Sequence, residues 1–196
     1  EMLRSLVGSE MCIRDRMHRL DAALGDFLNK LSEVPGGALV VLTADHGGSD
    51  FVERLALRGY PQAHRVDPQG LRGVNARLRE RFDLSADPLQ SGGSGLLVAD
   101  AEHRALPEPL RTQVAEAAVE LLRGMPDVAF AETRERLLAE PLPASTLNPE
   151  MLTLRERMRL STVADRSPDI VFAWAPNAVS GGRVGGAVAG HGTPWD

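Results

Sequence analysis

The sequence has a single cysteine, Cys12, so no disulfide can form within the chain. That excludes the small exported scaffolds that depend on disulfide staples, without deciding a compartment. Aromatic residues are scarce, at 4%, so any core must rest on Leu, Val and Ala. There is no basic stripe. The net charge is −5 and the arginines are scattered among acids, which argues against a nucleic-acid surface. No apolar run is long enough to span a bilayer. No basic start followed by a sustained apolar stretch marks a secretory signal. Internal repeats and low-complexity stretches are lacking as well.

What remains is ordinary globular composition. The 196 residues are 43% hydrophobic and 25% charged, enough for one domain or a large piece of a bigger one. Residues 1–16 resemble a translated sequencing-adapter scar. They are expected to be non-native and are set apart from residues 17–196. The chain stops at Thr193-Pro194-Trp195-Asp196 with no closing element after it. Both ends point to a truncated fragment.

Leu20, Leu24, Phe27, Leu28 and Leu31 recur at helical spacing, which predicts an amphipathic helix over 17–33 ended by Pro35-Gly36-Gly37. Ala38 to Thr43 is a continuous apolar run and reads as a strand buried on both faces. Further helices are expected within 49–58 and over 75–82, 108–123, 133–138 and 150–160. Strands are expected over 96–99, 128–131 and 169–174. The glycine-rich tail from Ser180 to Gly192 reads as a loop or hairpin. Strands alternating with helices predict an α/β fold with a central, mostly parallel sheet, and residues 85–140 form a possible inserted α+β lobe.

Two short motifs carry chemistry. Thr43-Ala44-Asp45-His46-Gly47 follows the first apolar run, and open α/β sheets bind ligands beyond the carboxyl ends of their strands. Asp45 and His46 pair a carboxylate with an imidazole, a donor set that suits zinc. Gly190-His191-Gly192-Thr193-Pro194-Trp195 places His191 between two residues without side chains, so a ligand can approach it closely. Taken singly, each motif also fits a bland reading: an Asp-His pair capping a helix, and an exposed loop histidine. His64 and His103 read as surface residues, and Trp174 and Trp195 as packing residues.

Together the two motifs resemble the alkaline phosphatase superfamily, in particular its bacterial alkaline phosphatase and type I phosphodiesterase/nucleotide pyrophosphatase branch. Met17-His18-Arg19-Leu20-Asp21 and Arg166-Ser167-Pro168-Asp169-Ile170-Val171 add to the likeness, which covers residues 17–196. The resemblance implies an alkaline phosphatase-like fold, here truncated, and a phosphoric ester hydrolase using two zinc ions. Asp45 and His46 would bind one zinc and His191 the other. The nucleophile would be a Thr or Ser upstream, absent from residues 17–196; Thr43 does not occupy its motif position. The chain alone is therefore expected to be inactive. The implied substrate is a small-molecule phosphate ester, with no nucleic-acid or membrane partner, and the implied location of the parent is periplasmic or secreted. The first motif is shared with phosphomutases, and sulfatases have a similar strand end, so these stay open. A non-catalytic α/β binding module is the alternative from another class.

Overall fold

The computed structural model describes residues 2–44, 47–92, 95–144, 148–179, 189–190 and 194–195. The chain divides into two compact units, residues 1–45 and 46–196, and each is taken by itself.

The first unit is a long helix, α1 (Met2–Ser32), and the segment after it. The predicted helical spacing is present, but the helix starts at Met2 and so runs straight through the 16/17 boundary. Gly36 and Gly37 have φ of 88° and 77°, the left-handed conformation that lets the chain leave the helix. The expected strand over 38–43 is not formed. Residues 38–44 pair with no strand, and Leu39, Val41 and Leu42 are 93%, 78% and 83% exposed. An apolar run becomes a strand only when neighbouring strands satisfy its backbone groups, and none is paired with it among the described residues.

The second unit holds every other element. In chain order these are β1 (Ser49–Asp50), α2 (Val52–Leu57), β2 (His64–Arg65), α3 (Pro68–Phe82), β3 (Leu89–Ser91), β4 (Gly95–Val98) and α4 (Leu110–Arg123). Then come β5 (Val128–Thr133), α5 (Arg134–Leu138), a 3-10 turn (Pro149–Met151), α6 (Leu154–Leu160), β6 (Ile170–Trp174), β7 (Ala178–Val179) and β8 (Ala189–Gly190). The alternation of helices and strands gives the expected α/β class. Its largest sheet has the order β3-β4-β6-β5 and pairs antiparallel throughout, where a mostly parallel sheet was expected. β2 and β7 form a parallel pair. The run read as a strand of a parallel sheet, 38–43, is the one that stays unpaired.

The side chains of β6 alternate as a strand with two covered faces requires. Ile170 and Phe172 join α3 and α4 around Leu78, Val114, Ala118 and Leu122. Val171 and Ala173 face Leu137 of α5 and Met158 of α6. Asp169, just before β6, is buried, and its carboxylate accepts a hydrogen bond from Val98 N at 2.8 Å, which fixes β4 to β6. At Gly95 the strands come so close that a Cβ would lie 2.2 Å from the Ile170 carbonyl oxygen, so only glycine fits.

Candidate functional site

The two motifs lie far apart in sequence, and the second unit brings their flanks together. β1 and β8 pair antiparallel, with Ser49 opposite Gly190 and Asp50 opposite Ala189. Ser49 is three residues after His46, and Gly190 is the residue before His191. Asp45, His46 and His191 themselves lie outside the described residues. Among the described residues, no group of three or more His, Cys, Asp or Glu side chains is placed to hold a metal ion.

The tail beyond His191 is tied down as well. The Trp195 indole donates to the Trp174 carbonyl at 2.9 Å, across 21 residues of sequence. The Arg157 guanidinium donates through Nη1 to the Pro194 carbonyl at 3.0 Å and through Nε to the Leu152 carbonyl at 3.2 Å. Gly190 is thus held by the ladder to β1, and Pro194 and Trp195 by α6 and β6. The reading of Trp195 as a packing residue fits these bonds. Trp174 stacks edge-on against Phe172, with ring centroids 5.0 Å apart.

β1 leads into α2, and charge pairs fix the junction. Asp50 is paired with Arg58 and, at 3.5 Å, with Arg54 one helical turn away. Glu53 accepts from Arg65 of β2 at 2.9 Å, and the Arg65 guanidinium lies over the Phe51 ring at 5.1 Å. Helix α2 and the β2/β7 pair are therefore linked to each other.

His64 of β2 has both ring nitrogens facing oxygens, Nδ1 at 3.0 Å from the Gln62 carbonyl and Nε2 at 2.9 Å from the Asp127 carboxylate. Two acceptors require two ring protons, so this geometry selects the imidazolium. The Gln62 carbonyl, and after it the Asp127 carboxylate, raise the His64 pKa above its ordinary value. A histidine held in this form is a clasp between β2 and the turn before β5, rather than a metal ligand or a base. His103 lies exposed in a turn with φ of 61°, as its surface reading requires, and His18 lies exposed on α1. The Thr43 hydroxyl donates to the Ala44 carbonyl at 3.2 Å.

Sequence reasoning missed Arg157. Residues 150–160 read only as a helix, yet Arg157 is half-buried and bonded to Pro194 of the second motif. The local signal present in the sequence, Thr153-x-x-Glu156, marks only the helix start: the Thr153 and Glu156 side chains form a reciprocal capping box.

No protein-family model matches the chain. Over 96% of its length it is 35% identical to alkaline phosphatase PhoK of Sphingomonas sp., covering 34% of that protein. It is also 35% identical, again over 96% of its length, to alkaline phosphatase PhoD of Zymomonas mobilis, covering 32% of it. The chain is thus similar to alkaline phosphatases along nearly its whole length. It spans about a third of the length of these curated relatives. Its fold is similar to crystal structures of the alkaline phosphatase PafA. The wild type matches with a TM-score of 0.54 at 20% identity, over 87% of this chain and 31% of that one. A mutant form matches with a TM-score of 0.53 at 21% identity, over 83% and 29%. The alkaline phosphatase-like fold expected from the two motifs is thus present, truncated relative to those structures.

Proposed function

We propose that residues 17–196 are the part of a phosphoric ester hydrolase that carries Asp45, His46 and His191 as zinc ligands. The observation that supports this best is the β1/β8 ladder, which joins the residues beside the two motifs. Opposed residues in an antiparallel pair have Cα atoms about 4.5–5.5 Å apart. Three residues of chain reach at most about 11 Å. Chain connectivity therefore keeps the two motifs in one neighbourhood.

The donor set fits the metal. Zinc takes imidazole nitrogen and carboxylate oxygen, and each catalytic zinc needs about three protein ligands. Three ligands divided between two ions fall short of that number. Asp45 would offset cation charge, and His46 and His191 would bind as neutral imidazoles, so metal binding would compete with protons. When bound, a zinc pair supplies Lewis acidity at the oxygens of a phosphoryl group. The nucleophile, a Thr or Ser by the resemblance, is not supplied by residues 17–196. The substrate is a small-molecule phosphate ester, and the parent enzyme acts in the periplasm or outside the cell.

Calorimetric titration of the 196-residue chain with zinc tests this reading. The expected result is weak binding, reduced at least about tenfold by Asp45→Ala or His191→Ala, with no turnover of p-nitrophenyl phosphate. Zinc affinity unchanged by Asp45→Ala would assign the Asp-His pair a structural role in a non-catalytic module. Sustained zinc-dependent turnover by this chain would show that its site is complete.

A further inference from the structure

Among its described residues the first unit contains no helix or strand besides α1, so none packs on α1 within that unit. Ile13, Met17, Leu20 and Phe27 are 61%, 59%, 61% and 55% exposed, and Leu24 is exposed as well. A contiguous row of exposed apolar side chains marks a contact surface.

The spacing of the row narrows the partner. Ile13, Met17, Leu20, Leu24, Phe27 and Leu31 follow one another at steps of four, three, four, three and four residues. That is the heptad repeat of a coiled coil, with Met17, Leu24 and Leu31 at a and Ile13, Leu20 and Phe27 at d. Such a seam is matched by a helix with the same repeat, and a second copy of this chain supplies one. Five of the six residues lie after the 16/17 boundary, which α1 crosses without a break.

Charge selects the orientation. Arg16 and Lys30 flank the seam at g, and Asp21 flanks it at e. In a parallel pair g faces e of the next heptad, so Arg16 meets Asp21 of the second copy, twice by symmetry. In the antiparallel register that overlaps all six seam residues, g faces g and e faces e. Asp21 would then meet Asp21, and Arg16 would meet Lys30, both like-charge contacts that disfavour the arrangement.

We propose that α1 is a homodimerisation surface, and that two copies of the chain pair through residues 13–31 as a parallel, two-stranded coiled coil. Pairing through α1 does not rest on the hydrolase reading, because α1 contains no candidate zinc ligand.

The test is sedimentation equilibrium of the 196-residue chain in a Cys12→Ser background, which removes the exposed thiol. A reversible monomer–dimer equilibrium is expected, with a Kd of about 10–100 µM, as suits fewer than three heptads. Leu20→Glu sets two carboxylates against each other in the seam and should weaken the dimer by at least about tenfold. Met17→Lys is a second seam variant should the first lose helical circular dichroism. Ala22→Glu, on the face opposite the seam, should leave the dimer unchanged. Asp21→Arg should weaken it by at least about threefold, and adding Arg16→Asp should restore it. A chain that stays monomeric to about 300 µM would overturn the proposal. So would assemblies larger than two chains, a dimer untouched by both seam variants, or one weakened as much by Ala22→Glu. A charge swap that fails to restore the dimer would overturn the parallel alignment.

Discussion

Two apolar stretches of this chain meet opposite fates. β6 lies between β4 and β5 in the four-stranded sheet, and Ile170, Val171 and Ala173 are 0%, 5% and 4% exposed. Residues 38–44 are as apolar as β6 and as long as an ordinary strand, yet Leu39 is 93% exposed and no strand pairs with them. Hydropathy marks a demand for burial, and neighbours decide whether that demand is met. β6 has a strand on each edge and a helix pair over each face. The 38–44 run has neither among the described residues. The aligned relatives are about three times as long as this chain.

This contrast predicts an asymmetric response to truncation. Ile170→Ala or Leu122→Ala should cost about 2–5 kcal/mol in urea unfolding, the range for a fully buried side chain. Leu39→Ala or Leu42→Ala should change stability by less than about 0.5 kcal/mol. A large loss at Leu42 would mean that the run is packed in solution.

The charged side chains divide in the same way. Glu132 is buried on β5 and takes hydrogen bonds from Arg123 at 2.8 Å and Arg155 at 3.1 Å. Burial alone would raise its pKa, but the Thr133 N–H and the two guanidinium groups outweigh burial and hold it below the usual carboxylate range. Glu132→Gln should cost about 1–3 kcal/mol, since it leaves the arginines facing a neutral group in a buried place. The same change at exposed Glu102 should cost nothing measurable. The lowered Glu132 pKa also has a pH signature. Its contribution is present above the unfolded carboxylate pKa and is lost as pH falls through the lower folded value.

Smaller effects follow. Thr153→Ala removes the capping box of α6 and should cost about 1 kcal/mol. His64 is half-exposed, so its clasp to Asp127 should contribute less than about 1 kcal/mol. The sign is fixed by its raised pKa: the contribution is complete below the unfolded histidine value and fades as pH rises through the higher folded one. Urea midpoints between pH 5.5 and 8.5 should show this slope, and Asp127→Asn should flatten it.

Periodicity exposed α1, α3 and α4 in the sequence because each carries its apolar stripe within one continuous segment. β4, β5 and β6 were legible for the same reason, as runs of four to six apolar or β-prone residues. The two-residue strands β1, β2, β7 and β8 were not. Each exists only because a distant segment lies beside it, and Ser49-Asp50 contains nothing that names Ala189-Gly190 as its partner. The antiparallel order of the main sheet was hidden likewise, since local hydropathy carries no strand direction. In the candidate site, Asp45, His46 and His191 were singled out from the chemistry of two short motifs, and they lie outside the described residues. Arg157 was missed because its half-burial depends on where Pro194 and Leu152 meet it.

The proximity of the two motifs can be measured through their flanks. In a Cys12→Ser background, Ser49→Cys with Gly190→Cys places two thiols at opposed positions of the β1/β8 ladder, within the Cα range a disulfide accepts. Mild oxidation should close an intramolecular disulfide, seen as a loss of two hydrogens by mass spectrometry in a folded monomer. Two thiols that stay free in the folded chain would contradict the ladder, and with it the case that Asp45, His46 and His191 serve one site.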